Sequence, residues 1–172
     1  MHNMAMASIS DVSAEGLISA SSVLSRPAEE FENDPTVEAM WAIRAYEHAE
    51  VYFNILCSVD PQILRLTPHD DLIYRTFRDE FSGMDVRTLD EDQIKSIEGK
   101  KKWRDFCEKF KDIVEDYNFG TLLRINTTGD YSEENSILTT RVQFYAIELA
   151  RNREGYNDTV RLKFKPNKIS KQ

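Results

Sequence analysis

Residues 102–125, KWRDFCEKFKDIVEDYNFGTLLRI, decide the fold of this chain. Up to Tyr117 the apolar residues recur every three or four positions, the spacing of a helix with one buried face. These residues are Trp103, Phe106, Cys107, Phe110, Ile113, Val114 and Tyr117. Gly120 interrupts the pattern, and the compact apolar run 121–125 predicts a strand. We expect this aromatic helix to lie at the centre of the core.

A long helix is predicted on the N-terminal side. Asp34 can cap a helix whose first position is Pro35, since proline has no amide hydrogen to leave unpaired. One apolar stripe follows and ends before Asp60 and Pro61. Its members are Val37, Trp41, Ala45, Ala49, Tyr52 and Leu56.

A second helix, of about fifteen residues, is predicted from the cap-then-proline pair Thr67 and Pro68 to Gly83. Its buried line is Ile73, Phe77 and Phe81. Farther along, Asp90 and Gln93 resemble a capping box. The pattern then leads to Gly99 and three lysines, where we expect an interruption between helices.

The C-terminal third combines a helix with strand signals. A reverse turn is predicted at 128–130, and a helix from about Thr139 to a left-handed Gly155. The apolar positions of that helix are Val142, Tyr145, Ala146 and Leu149, with a strand over 142–149 as the alternative. Val160, Leu162 and Phe164 alternate with basic residues, which predicts a half-exposed strand that could pair with 121–125.

These elements predict an α+β, mainly helical fold. Four to five helices pack around an aromatic core beside a two- to three-stranded antiparallel sheet. The 172 residues suit one domain, which we place at 31–165, between a flexible arm at 1–30 and a basic tail at 166–172. A short docked helix near 14–24 is the alternative for part of the arm.

The charge balance argues against bulk nucleic-acid binding. The chain carries 30 acidic and 22 basic residues, a net charge of −8, which repels phosphate backbones. The last twelve residues are basic and contain no acid. Such a tail is either simply solvated or touches RNA or an acidic partner locally.

No arrangement of residues predicts catalysis, a cofactor or a metal. His48 with His69 and Asp70 comes nearest to a metal phosphohydrolase pattern, but an acid in a helix's first turn is explained by the helix dipole. Glycine-rich phosphate loops and nucleophile elbows are missing from the sequence. Cys57 and Cys107 lie in apolar helical patterns, as expected of buried, reduced thiols.

Two polar clusters are candidates for protein interaction. Asp116, Tyr117 and Asn118 join the aromatic helix to the strand, where recognition groups are often displayed. Arg151, Asn152 and Arg153 occupy the last turn of a helix. The alternative in each case is that the side chains satisfy the helix end and its dipole.

Three stretches resemble one protein family. They are residues 33–61 (NDPTVEAMWAIRAYEHAEVYFNILCSVDP), residues 102–125 and residues 142–158 (VQFYAIELARNREGYND). Together they resemble the eukaryotic polysaccharide biosynthesis domain-containing protein 1 family, and DYNFGTLLR and ELARNREGYND are long enough to make the likeness specific.

The resemblance implies a cytoplasmic chaperone, not a glycan enzyme. Such a chaperone would bind newly made translation elongation factor 1-alpha, at its GTP-binding domain, at or near the ribosome and its associated factors. We expect a monomer that binds no DNA and no membrane. A non-catalytic adaptor is the second hypothesis, and a metal-dependent or polysaccharide-related enzyme the third.

Overall fold

The computed structural model of the protein describes residues 35–164. The predicted arm at 1–30, the cap at Asp34 and the basic tail at 166–172 lie outside the described residues. Six α-helices and two strands occupy the described part. In chain order they are α1 (Pro35–Ser58), α2 (Asp70–Glu80), α3 (Glu91–Lys95), α4 (Ile97–Glu108), β1 (Gly120–Arg124), β2 (Ser136–Thr140), α5 (Arg141–Arg153) and α6 (Val160–Lys163). Single 3-10 turns lie at Pro61–Ile63 and Glu133–Asn135.

Helix α1 buries the residues of the predicted apolar stripe except Trp41. The other five stripe residues are buried, and Leu56 is completely enclosed. Trp41 is wrongly predicted as core, since 43% of it is exposed. Its ring meets Phe119 edge-on, with 6.4 Å between ring centroids, at the margin of the domain.

Helix α2 begins later than its sequence signal suggests. The predicted cap residue, Thr67, accepts a hydrogen bond from the His69 amide at 2.8 Å, and the helix starts only at Asp70. The buried Asp70 carboxylate accepts the amides of Leu66 and Thr67 at 2.8 and 2.7 Å. The Asp70 carboxylate therefore stabilises the turn that leads into the helix.

The predicted break between helices lies at Ser96 rather than at Gly99. Ser96 ends α3 and caps α4, because its hydroxyl accepts the Gly99 amide at 3.0 Å. Gly99 sits in the first turn of α4, where an added Cβ would lie 2.0 Å from the Gln93 carbonyl oxygen. The break thus depends on a glycine at that position.

The aromatic helix is shorter than predicted. It ends at Glu108, after which the amides of Lys109, Phe110 and Lys111 bond to carbonyls three residues back, so the chain tightens into turns. Phe110 and Val114 remain buried, but Ile113 is 40% exposed. The apolar spacing continues through turns that can still bury every third or fourth residue.

The sheet pairs β1 with β2 in antiparallel register, with Leu122 opposite Leu138. The prediction that 160–164 is a strand pairing with β1 is wrong, because Val160–Lys163 forms the short helix α6. Val160 is buried but Leu162 is 72% exposed, as expected in a helix, where residues two apart lie on different faces, whereas a strand would place both on one face. The partner strand β2 was not predicted.

Helix α5 and the aromatic core confirm the fold class. Thr140 and Gln143 form a capping box at the start of α5, and Gly155 follows its end with φ 89°. The helical reading of 142–149 is therefore confirmed over the strand alternative. Phe81 and Trp103 stack with their ring centroids 4.2 Å apart, beside Phe77 and Phe106. Cys57 and Cys107 are buried free thiols, as predicted.

Candidate functional site

A cluster of polar and charged side chains is buried inside the fold, and we call it the Glu148 cluster. Its members come from α1, β1, α5 and the turn after α5. They are Tyr52, Arg124, Glu148, Arg151, Asn152 and Asn157, each at most 5% exposed. Glu148 lies at the centre and receives hydrogen bonds from the Tyr52 hydroxyl at 2.7 Å, Arg151 Nη1 at 2.7 Å and Asn157 Nδ2 at 3.0 Å.

Both guanidinium groups of the cluster are held largely by backbone carbonyls. Arg151 donates to the carbonyl oxygens of Val86 and Ile125 at 2.7 and 3.1 Å. Arg124 donates to those of Thr127 and Gly129, and its Nη2 donates to Asn157 at 2.6 Å. Two cations and one carboxylate are thus tied to loops that have no regular structure of their own.

The charges of the cluster are mutually stabilised. Burial alone would raise the pKa of Glu148, but the nearby Arg151 and Arg124 outweigh it and hold that pKa below its usual value. Burial, and after it the Glu148 charge, keeps the pKa of Tyr52 well above its usual range. Glu148 is therefore an anion in the folded protein, and the Tyr52 hydroxyl donates a hydrogen bond to it.

The Glu148 cluster is closed to solvent. Arg151 and Asn152 were predicted to contact a partner, but they are 0% and 1% exposed. Their side chains point into the core, where they bond to other members of the cluster. They cannot contact a partner in this conformation. Their role is to fasten α5 to the loops around it.

The remaining predicted contact residues lie at opposite ends of α5. Asp116 is exposed with a left-handed φ of 53°, and its carboxylate is 4.0 Å from Arg141 at the start of the helix. Tyr117 is partly buried and Asn118 exposed. Arg153, at the other end, bonds to Asp71 at 2.7 Å. The two ends are about 18 Å apart at 1.5 Å per helical residue, so the two clusters form no single site.

Three apolar residues near Asp116 lie at the surface, and we call them the tryptophan patch: Trp41 and Leu138 are exposed, and Phe119 is partly buried. Trp41 touches Phe119, and Arg141 lies over the Phe119 ring at 5.4 Å. Leu138 is 69% exposed, and its Cδ1 would lie 3.4 Å from a Cβ added to the neighbouring Gly120. The sequence signal failed here because Trp41 fits the buried stripe of α1 and β2 was not predicted.

Residues 35–164 contain neither a cluster of metal ligands nor a membrane-spanning helix. No group of three or more His, Cys, Asp or Glu side chains there could hold a metal ion. His48 and His69, proposed above as the nearest approach to a metal site, therefore join no such group. No helix in that range is long and apolar enough to cross a bilayer.

Comparison with known proteins connects this fold to a family. The family model described as PBDC1 protein matches residues 37–162, which include most of α1, both strands and α5. The chain belongs to the PBDC1 family. This confirms the resemblance that we drew from three stretches of the sequence.

Relatives in the PBDC1 family span mammals and yeasts. The chain is 55% identical to Protein PBDC1 of Mus musculus, over 87% of this chain and 75% of that protein. It is 52% identical to Protein PBDC1 of Homo sapiens, over 91% of this chain and 68% of that protein. The Saccharomyces cerevisiae homolog is 40% identical over 77% of this chain and 94% of the homolog.

A solved structure has the same fold. It is the solution NMR structure of a Saccharomyces cerevisiae protein, 40% identical in sequence. It matches with a TM-score of 0.72 and covers 80% of this chain and 97% of its own. The fold of this PBDC1 family member is therefore also that of an experimentally determined structure.

Proposed function

We propose that this protein is a non-catalytic cytoplasmic chaperone for newly made translation elongation factor 1-alpha. Its client region would be the GTP-binding domain, engaged at or near the ribosome. The identity of the client in this proposal is what the family resemblance implies. The tryptophan patch supplies the physical means, and it is the observation that carries the proposal.

The patch has the composition expected of a protein-binding surface. Tryptophan, tyrosine and arginine are the residues that contribute most to protein interfaces, and here Trp41, Phe119 and Arg141 adjoin. Leu138, which lies beside Gly120, is a further exposed apolar residue on β2. An exposed apolar side chain that packs on another, as Trp41 does on Phe119, indicates an interaction site more strongly than a scattered one does.

Release of the client requires no nucleotide chemistry in this chain. A partly folded GTPase domain exposes apolar surface that the tryptophan patch can cover. Once that domain folds, its own contacts bury the same surface, and the chaperone loses affinity because it binds the two states unequally. The acidic charge of the chain favours a protein client over RNA.

The test is capture from a translating extract, with and without puromycin, using the full chain as bait. We expect elongation factor 1-alpha to be captured in proportion to ongoing synthesis. Trp41→Ala and Phe119→Ala should each reduce capture at least about tenfold, as expected for central interface residues. Ile63→Ala is the matched control, because Ile63 is also an exposed apolar residue but lies in the 3-10 turn after α1.

The outcomes separate the hypotheses. Equal capture of mature, folded factor would replace the chaperone with an adaptor. Failure to capture the factor at all would refute the proposed client. Loss of capture with Ile63→Ala to the same degree as with Trp41→Ala would refute the role of the tryptophan patch.

A further inference from the structure

The outer edge of β2 differs from a protected sheet edge. Within residues 35–164 the sheet has two strands, so β2 pairs on one side only, with β1. Its sequence, SILTT, contains no charged residue and no proline. Proteins usually place lysine, proline or a bulge on such an edge, because unpaired backbone groups attract another strand.

The hydrogen-bond pattern shows which backbone groups face outward. Beyond the strands, the Ile125 amide donates to the Asn135 carbonyl oxygen at 2.8 Å, in the same register as the strand pairs. Bonded and non-bonded pairs alternate in an antiparallel ladder. The Leu122–Leu138 pair is therefore non-bonded, and the amide and carbonyl of Leu138 point away from β1.

Thr140 supports this assignment independently. It lies two residues after Leu138 and shares its orientation. Its amide donates to the Gln143 side chain at 2.9 Å instead of to β1. The capping box thus occupies the end of the edge, while within residues 35–164 no backbone hydrogen bond joins Leu138 to a segment outside the sheet.

We propose that an extended segment of the client adds to β2 as a third strand, pairing with the backbone of Leu138. The segment would be uncharged. Its apolar side chain next to Leu138 would cover that residue of the tryptophan patch. This inference rests on the proposed function for the identity of the client. It specifies how the client binds, namely by backbone hydrogen bonds in addition to side-chain contacts.

Two substitutions at one position separate the contribution of the backbone to client binding from that of the side chain. Leu138→Pro removes the outward amide hydrogen, and proline is tolerated where a strand's amide faces solvent. Leu138→Ala removes most of the side chain but keeps the amide. We expect Leu138→Pro to reduce capture of newly made elongation factor 1-alpha about threefold to tenfold below Leu138→Ala, the effect of one lost hydrogen bond. Equal capture by the two variants would overturn strand addition.

A measurement on the unaltered chain does not depend on how the proline variant folds. Amide hydrogen exchange at Leu138, followed by NMR on the labelled protein, should slow at least about tenfold when urea-unfolded elongation factor 1-alpha is diluted into the sample. Unchanged exchange at Leu138 while Trp41 and Phe119 signals shift would overturn strand addition but leave the proposed function standing. If no signal shifted, both would fail. Slower exchange that appears with protein concentration alone would assign the edge to a second copy of the chain and overturn the client as its occupant.

Discussion

Glu148 and Arg151 lie three residues apart on one helix, both fully buried, with 2.7 Å between the carboxylate and the guanidinium. An ion pair at this spacing is common on helix surfaces, where it contributes little. Here it is enclosed, and a second guanidinium, from Arg124, lies 3.7 Å from the same carboxylate. One anion therefore balances two buried cations, so its loss has a large predicted effect.

Glu148→Gln should lower the free energy of unfolding by about 3–5 kcal/mol, since it leaves two buried cations without a counter-charge. Urea denaturation followed by circular dichroism measures this. Glu91→Gln is the control, because it breaks an exposed pair with Lys95 and should cost less than about 1 kcal/mol. A loss of similar size in both variants would show that the Glu148 cluster is not a major source of stability.

Stability should decrease as pH falls below 6.5, the usual pKa of histidine, because of His48. Burial, and after it Arg141, lowers the pKa of His48 in the folded protein. The unfolded chain therefore takes up a proton before the folded one does, and acid favours unfolding by at most about 1.4 kcal/mol per pH unit for one such group.

His48→Phe should flatten the pH dependence of the melting temperature between pH 7 and 5.5. The replacement keeps a ring against Phe144, which now lies 5.0 Å away. His69→Ala, at an exposed position, serves as the control for removing a histidine. An unaltered slope in His48→Phe would mean that other groups cause the loss of stability in acid.

Gly99→Ala should destabilise the protein by about 1–3 kcal/mol, because its Cβ would collide with the Gln93 carbonyl and force α3 and α4 apart. Gly83→Ala is matched to it, since a Cβ there meets nothing within 4 Å. Thermal melts of both variants test the comparison. Equal melting temperatures would contradict the close approach at Ser96.

Asp70→Ala should cost about 1–2 kcal/mol, because two amides at the entry to α2 lose their acceptor. His69→Ala should change stability by less than about 0.5 kcal/mol, as expected at an exposed position. Chemical denaturation distinguishes them. If His69→Ala cost as much as Asp70→Ala, the adjacent pair would have a joint role that the structure does not explain.

The sequence predicted helices well where local signals agree. Pro35 marks the first residue of α1, and the Asp90 carboxylate accepts the Gln93 amide at 3.2 Å, as its spacing predicts. Prediction from the sequence failed where one spacing of apolar residues fits two kinds of secondary structure. Val160 and Leu162 alternate with the basic residues Arg161 and Lys163, as in a strand. The segment nevertheless forms one short helical turn that buries Val160 and exposes Leu162. Ile113 likewise continues a helical spacing through a chain of turns.

The Glu148 cluster could not be predicted from sequence patterns, for a different reason. A pattern assigns charged residues to the surface, and Arg151 near the end of a helix has a sufficient explanation in the helix dipole. Its burial depends on carbonyls at Val86 and Ile125, which are distant in sequence. The tryptophan patch was missed because exposure of Trp41 depends on where α1 leaves the core.

The Glu148 cluster also sets the order in which this chain can fold during its own synthesis. Tyr52 and Glu148 are separated by 96 residues, and Asn157, which bridges Glu148 and Arg124, comes later still. A growing chain cannot complete the cluster until residue 157 has left the ribosome, so Tyr52 on α1 lacks its final set of partners until then. Contacts so distant in sequence slow folding and couple the two ends into one step. A protein proposed to protect another nascent chain thus has a long vulnerable period of its own.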